Sequence, residues 1–119
     1  MRMWMADPEI LCKNHLLGEH CECHMFLGTL KKNKSIKGYI DNNLFQPLKL
    51  QERHDILKGE MIKRNMNHKS DLSVENELDY LPERYRNYII DRESSLKDLL
   101  GRCPRCNERL LNKENNERT

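Results

Sequence analysis

The chain has 119 residues, of which 34% are charged and only 6% aromatic, with 21 basic against 19 acidic side chains. This length suits one small domain with a mostly aliphatic core, and the charge balance excludes a uniformly basic surface, so nucleic-acid binding would need local basic clusters. We find no apolar run near the roughly 20 residues of a membrane span and no secretory signal, and five cysteines favour a reducing, cytoplasmic compartment over a disulfide framework.

The N-terminal segment is short and leads into the first predicted helix. We expect Trp4, the single tryptophan, to anchor this segment against the domain. Asp7 suits an N-cap and Pro8 a first helical position, so a helix is predicted from here to about Lys32. At about 100° per residue, its apolar side chains form one stripe that should face a core. They are Cys12, Leu16, Cys23, Leu27 and Leu30.

Ionisable side chains are concentrated in residues 15–26, which hold three histidines, two glutamates and two cysteines. On the predicted helix, His15, Glu19 and Glu22 lie beside Phe26 along one flank of the apolar stripe. A half-desolvated carboxylate within reach of a histidine is typical of acid–base chemistry. An amphipathic helix whose polar residues merely border the core explains the same pattern, so both interpretations stay open at this point.

A basic run follows the first helix and is the densest in the chain. Its lysines are Lys31, Lys32, Lys34 and Lys37. Such a run is either a solvated loop or a loop that contacts phosphates.

Two further helices are predicted before the C-terminal part of the chain. Residues 48–66 form one, because Leu50, His54, Leu57 and Met61 recur at helical spacing, and His54 is interpreted as a hydrogen-bonded core residue. After a loop, the other helix is capped by Asp91, with Ser94 as the alternative cap, and ends at Gly101. The pattern therefore predicts an all-α, three-helix domain over residues 1–106, followed by a polar, frayed tail over residues 107–119.

The pair Cys103 and Cys106 has the spacing of a zinc knuckle, and a second pair of ligands is needed to complete a structural site. His20 and His24, four residues apart on a helix, are candidates for it, as are Cys21 and Cys23. A zinc-dependent hydrolase is the weaker interpretation, because the zincin pattern places its glutamate directly after the first histidine.

Several ordered segments resemble the phage pyrimidine-dimer DNA glycosylases, the endonuclease V type of repair enzyme. Residues 15–22 read HLLGEHCE, similar to the family's His-Leu-x-x-Glu-x-Arg-Glu. Residues 64–67 fall where the family has Arg-Gly-Phe-Asn, and residues 81–89 read LPERYRNYI, whose first six positions are similar to the start of the family's Ile-Pro-x-x-Phe-Arg-x-x-Tyr-Ile. The resemblance implies an all-α domain of three helices with an N-terminal segment packed between them.

The resemblance also implies a mechanism and a set of site residues. The family's nucleophile is an N-terminal α-amine, which forms an imine with the sugar C1′ and needs no cofactor. By the residue count to the family's glutamate, which corresponds to Glu22, the amine belongs to Met1. We expect Met1 to be retained before the bulky Arg2. His15 matches the family's active-site histidine.

DNA contacts are implied as well. Arg2, Arg102 and the four lysines are expected to bind double-stranded DNA. Cys21 and Met25 stand where the family has arginines that hold DNA phosphates near the lesion. The identity of the recognised lesion therefore stays open. The sequence thus predicts a monomeric DNA glycosylase with AP-lyase activity, for which zinc would be at most structural. The alternative is a non-catalytic nucleic-acid-binding or protein-interaction module that retains the fold.

Overall fold

The computed structural model describes residues 1–67 and 70–117, and all regular elements in these ranges are helical, which confirms the all-α prediction. Residues 68–69 of the predicted loop and 118–119 of the predicted tail lie outside these ranges. The α-helices are α1 (Lys13–Lys31), α2 (Lys37–Asp41), α3 (Leu50–Lys63), α4 (Glu83–Arg86), α5 (Arg92–Arg102) and α6 (Pro104–Glu117). In the described ranges, no helix has both the length and the apolar composition to cross a bilayer.

The three predicted helices correspond to α1, α3 and α5. The predicted apolar stripe of α1 and that of α3 are both buried, and these two helices pack against each other. Phe26 of α1 stacks on Phe45 with ring centroids 4.0 Å apart, which places an aromatic pair in the core. Asp91 caps α5 by accepting a hydrogen bond from the backbone N–H of Ser94, as predicted.

The first helix begins later than predicted. Asp7 caps only a 3-10 turn over Pro8–Ile10, the backbone is extended at Leu11, and α1 starts at Lys13. The Glu9 carbonyl, which a continuous helix would use internally, instead accepts hydrogen bonds from the guanidinium groups of Arg64 and Arg109. The Pro8 carbonyl accepts from Arg64 in addition to the backbone N–H of Leu11. Tertiary donors therefore satisfy the backbone where the helix does not continue.

The N-terminal segment is packed among the helices, as predicted. Its residues 3–6 are buried, and the backbone N–H of Met3 donates to the carbonyl of Leu44. At the next residue, the Trp4 carbonyl accepts a hydrogen bond from the Ser95 hydroxyl of α5 at 2.6 Å. The expected role of Trp4 as an anchor is thus confirmed. Because Met3 and Trp4 are bonded to different parts of the fold, the segment holds Met1 close to a fixed place.

The prediction of a frayed tail is wrong, since residues 104–117 form α6. The side chain of Lys113 pairs with Asp7 and Glu9, and Arg109 donates to the Glu9 carbonyl, so the helix is attached to the turn that precedes α1. Its buried residue is Cys106. The polar composition that suggested fraying belongs to a helix largely exposed to solvent. The division of the chain at residue 106 into a domain and a tail stays a prediction.

Candidate active site

A cleft of about 550 Å³ lies between the N-terminal segment, α1 and α5. It is lined by Met1 and Arg2 from the segment, by Glu19 and Glu22 from α1, and by Arg102 from α5. The predicted catalytic residues Met1, Glu22 and His15 all line it. The geometry therefore brings together residues that are up to 101 positions apart in sequence.

Met1 and Glu22 face each other in this cleft. The α-amino nitrogen of Met1 lies 3.9 Å from Oε1 of Glu22, and both side chains are largely shielded from solvent, with exposures of 14% and 28%. Burial raises the pKa of Glu22, while the backbone N–H of Arg2 and the α-amine lower it in part. A carboxyl in this setting holds a proton at higher pH than an exposed one, next to a primary amine.

A buried ion pair lies beneath this site. The guanidinium of Arg53 in α3 donates to both carboxylate oxygens of Glu19, at 2.5 and 2.9 Å, and to the carbonyl of Ala6 at 2.8 Å. Both side chains are almost completely buried. The pair joins α1, α3 and the N-terminal segment, and the negative charge of Glu19 contributes to the raised pKa of Glu22.

Arg53 was not among the predicted site residues, although the sequence carries a signal for it. Arg53 stands three residues after Leu50, in the apolar stripe of α3, where an arginine requires a buried anionic partner. Glu19 stands on the flank of the α1 stripe and is that partner.

Replacing Arg53 with alanine is expected to lower the free energy of unfolding by about 3–5 kcal/mol, because the Glu19 carboxylate would stay buried without its partner. The measurement is a urea unfolding curve. Lys49→Ala, which breaks an exposed pair with Glu52, is the matched control and should cost less than about 1 kcal/mol. Combining Arg53→Met with Glu19→Leu should recover much of the loss. A cost for Arg53→Ala no larger than that of the control would contradict a stabilising buried pair.

The two arginines predicted to bind DNA share one carboxylate. The guanidinium of Arg2 donates to Asp98 at 2.7 Å and to the Ser95 hydroxyl, and it stacks over the Trp4 ring at 3.7 Å. Arg102 pairs with the other oxygen of Asp98 at 3.0 Å, yet 66% of its side chain is exposed. Arg2 is thus held inside the wall of the cleft, while Arg102 stands at the edge, accessible to a ligand.

The predicted lysine cluster lies on the exposed connection from α1 to α2. Lys31, Lys32, Lys34 and Lys37 are exposed, and within the described ranges none of them lines the cleft. Lys37 pairs with Asp41, one turn along α2. A role of these lysines in DNA binding stays a prediction, and any such role would be outside the cleft.

His15 also belongs to a second group of residues, next to the cleft. Its Nδ1 lies 3.2 Å from Sγ of Cys12 and 3.7 Å from Sγ of Cys106, and Sγ of Cys103 lies 3.8 Å from that of Cys12. The ligand atoms of these four residues all lie within 4.8 Å of one another, so the cluster could hold a metal ion.

The predicted metal pair, Cys103 and Cys106, is therefore complemented by residues other than those expected. Cys21 is exposed and Cys23 lies in the core, while His20 and His24 group instead with His54. The expected second pairs are thus wrong. The sequence does contain a second pair of possible ligands, Cys12-x-x-His15, with the same spacing as Cys103-x-x-Cys106. This pair was not predicted because Cys12 was interpreted as part of the apolar stripe.

Comparison with known proteins identifies the family. No curated protein matches this chain, and no solved structure does either. A family model described as pyrimidine dimer DNA glycosylase matches residues 1–74, which include the N-terminal segment, α1 and α3. Membership implies that the protein is a DNA glycosylase and that its substrate is DNA. The chain belongs to the pyrimidine dimer DNA glycosylase family.

Proposed function

We propose that this protein is a DNA glycosylase with AP-lyase activity, in which the α-amine of Met1 is the nucleophile. The observation that carries the proposal is the 3.9 Å approach of that amine to the Glu22 carboxylate within the cleft. Family membership supports the glycosylase activity, and the paired amine and carboxylate support the more specific imine chemistry.

A primary α-amine suits this role because its neutral nitrogen carries the lone pair that forms an imine with a sugar carbon. The neutral nitrogen attacks C1′ of the damaged nucleotide, a new N–C1′ bond forms, and the bond from C1′ to the base breaks. The base leaves with the bonding electrons and takes up a proton. Opening of the sugar ring then gives a protonated imine between Met1 and C1′.

Glu22 is proposed to move protons in both stages. In its protonated form it supplies a proton as the base or the ring oxygen leaves; as a carboxylate it stabilises the cationic imine and removes a proton from C2′. The electrons of that C–H bond form the C2′–C3′ double bond, and the 3′ phosphate departs. Burial suits these alternating roles, because it raises the pKa of Glu22 toward the working pH.

Access of the amine to C1′ requires a deformed duplex. We propose that a nucleotide is rotated out of the stack and that Arg102, exposed at the edge of the cleft, holds a phosphate beside it. The exposed lysines from Lys31 to Lys37 supply more distant contacts with double-stranded DNA. Cys21 and Met25 are exposed on α1 and carry no charge, so the phosphate contacts that the family makes at these positions are replaced or lost.

The test uses duplexes that contain a thymine dimer, an abasic site or no lesion, each incubated with and without borohydride. We expect strand cleavage at a lesion, a 3′ end characteristic of β-elimination, and a covalent protein–DNA adduct when borohydride is present. The undamaged duplex is the control. Binding to all three duplexes without cleavage or adduct would reject the enzyme and favour a binding module. Cleavage of dimer DNA without any adduct would retain a glycosylase and reject the imine.

A further inference from the structure

We propose that Cys12, His15, Cys103 and Cys106 form a structural zinc site that fastens the start of α1 to the junction of α5 and α6. Three cysteines and one histidine are a common ligand set for structural zinc. Of the four residues, the three cysteines are buried and His15 is partly buried. The proposal does not depend on the proposed catalytic function, because none of its evidence concerns the reaction.

Three of the six distances between the ligand atoms fit one tetrahedral ion, and none of the six exceeds 4.8 Å. Zn–S bonds of about 2.3 Å at tetrahedral angles place two sulfurs about 3.8 Å apart. The sulfurs of Cys12 and Cys103 are 3.8 Å apart, and Nδ1 of His15 lies 3.2 and 3.7 Å from the sulfurs of Cys12 and Cys106. A disulfide would require about 2.05 Å between sulfurs, so the geometry is that of separate ligands around a centre.

Backbone N–H groups are directed at the sulfurs, as expected for thiolates. The amide of Cys12 donates to Sγ of Cys106 at 3.2 Å, that of His15 to Sγ of Cys12 at 3.5 Å, and that of Cys106 to Sγ of Cys103 at 3.4 Å. Each of the three sulfurs thus accepts one backbone hydrogen bond. Such bonds stabilise negative charge on sulfur, and a divalent cation at the centre would balance the buried thiolates.

The positions of the ligands explain what the ion would do. Cys12 caps α1, and Cys103 joins α5 to α6, 91 residues later. The 14-residue α6 buries Cys106, and its polar links to the turn before α1 are surface ones: the ion pairs of Lys113 and the hydrogen bonds from Arg109 to the Glu9 carbonyl. Zinc would therefore supply a buried attachment of α6. It would also fix the beginning of the helix that carries Glu22.

A zinc ion bound by His15 would give this residue a structural role. The resemblance implied an active-site histidine, but a zinc bond at Nδ1 would occupy that nitrogen and remove it as a base. His15 still lines the cleft and its ring meets the Trp4 ring edge-on, with centroids 5.6 Å apart. We therefore assign His15 to the metal site rather than to proton transfer.

The second histidine group serves as an internal control. Nε2 atoms of His20 and His54 lie 3.1 Å apart, at hydrogen-bond distance, and Nδ1 of His54 pairs with Asp55. This group shares no residue with the cysteine cluster. Variants in it should not alter zinc binding at the proposed site.

The experiment measures bound metal in the full-length protein, purified with zinc and then dialysed, by mass spectrometry of the elements. We expect one zinc per chain at the proposed site, lost when Cys103 and Cys106 are both replaced with serine. His15→Cys should keep the zinc, whereas His15→Ala should weaken its binding. Cys21→Ser, at an exposed cysteine, and His24→Gln, in the second histidine group, are controls that should leave this zinc in place.

Cobalt(II) substitution gives a second readout that needs no variant. The wild-type protein should show thiolate-to-cobalt charge-transfer bands and the visible bands of a tetrahedral ion, and chelation of zinc should lower Tm by roughly 10 °C or more. Zinc that persists in the double serine variant, or that is lost only in His24→Gln, would overturn the assignment. If the serine variant does not fold, absence of the cobalt–thiolate bands in the wild type, or a disulfide within the cluster, would overturn it.

Discussion

Acetylation of the α-amino group of Met1 is expected to abolish borohydride trapping on abasic-site DNA, because the acetylated nitrogen has no nucleophilic lone pair. Extension by an N-terminal tag should have the same effect, since it moves the free amine away from Glu22. Peptide mapping of the adduct formed by the unmodified protein should place the DNA on residue 1. The intact mass, measured first, establishes which residue carries the free amine.

Binding provides the control for this experiment. The proposed phosphate contacts come from Arg102 and the lysines, which acetylation restricted to the α-amine leaves charged, so affinity for abasic-site DNA should change little. Lys31 and Lys32 are exposed amines and are the natural competitors for imine formation. An adduct on either lysine, or equal trapping by the blocked protein, would retain a lyase but reject Met1 as its nucleophile.

The parts of the fold that were predictable from sequence are those determined by local periodicity. The stripes of α1 and α3 and the Asp91 cap depend on residues within one or two turns, and the structure confirms them. The late start of α1 was not predictable in this way, because Arg64 and Arg109 donate the hydrogen bonds to the Pro8 and Glu9 carbonyls from 55 to 100 residues away. The helix α6 was not predictable from local periodicity either, because its ion-pair partners Asp7 and Glu9 lie at the other end of the chain.

The candidate site shows a similar division. Met1 and Glu22 were identified through the resemblance, and the structure places them together in one cleft. Arg53 as a site residue and Cys12–His15 as a ligand pair were not predicted, because the role of each depends on a partner that is distant in sequence. The partner of Arg53 is Glu19, 34 residues earlier, and Cys12 contacts Cys103 near the other end of the chain. Charge and ligand clusters of this kind are tertiary features, which periodicity does not report.

Replacing Glu22 with glutamine is expected to lower the rate of strand cleavage about 10²–10⁴-fold while leaving the fold and DNA affinity intact. Glutamine preserves the size of the side chain but neither donates a proton to a leaving group nor removes one from C2′. The measurement is single-turnover cleavage of abasic-site DNA, with unfolding and binding curves recorded in parallel. Glu52→Gln, at an exposed glutamate of α3, is the matched control and should cleave at the parental rate.

The pH dependence separates a catalytic Glu22 from one that only shapes the cleft. Because burial raises its pKa, Glu22 should become protonated, and fail as a base, at a higher pH than an ordinary carboxyl. Toward acid, the parental rate should therefore show a loss that reports protonation of Glu22, and the rate of Glu22→Gln should lack this loss. Parental cleavage by Glu22→Gln, or an unchanged acid limb, would show that the carboxylate beside the amine takes no part in proton transfer.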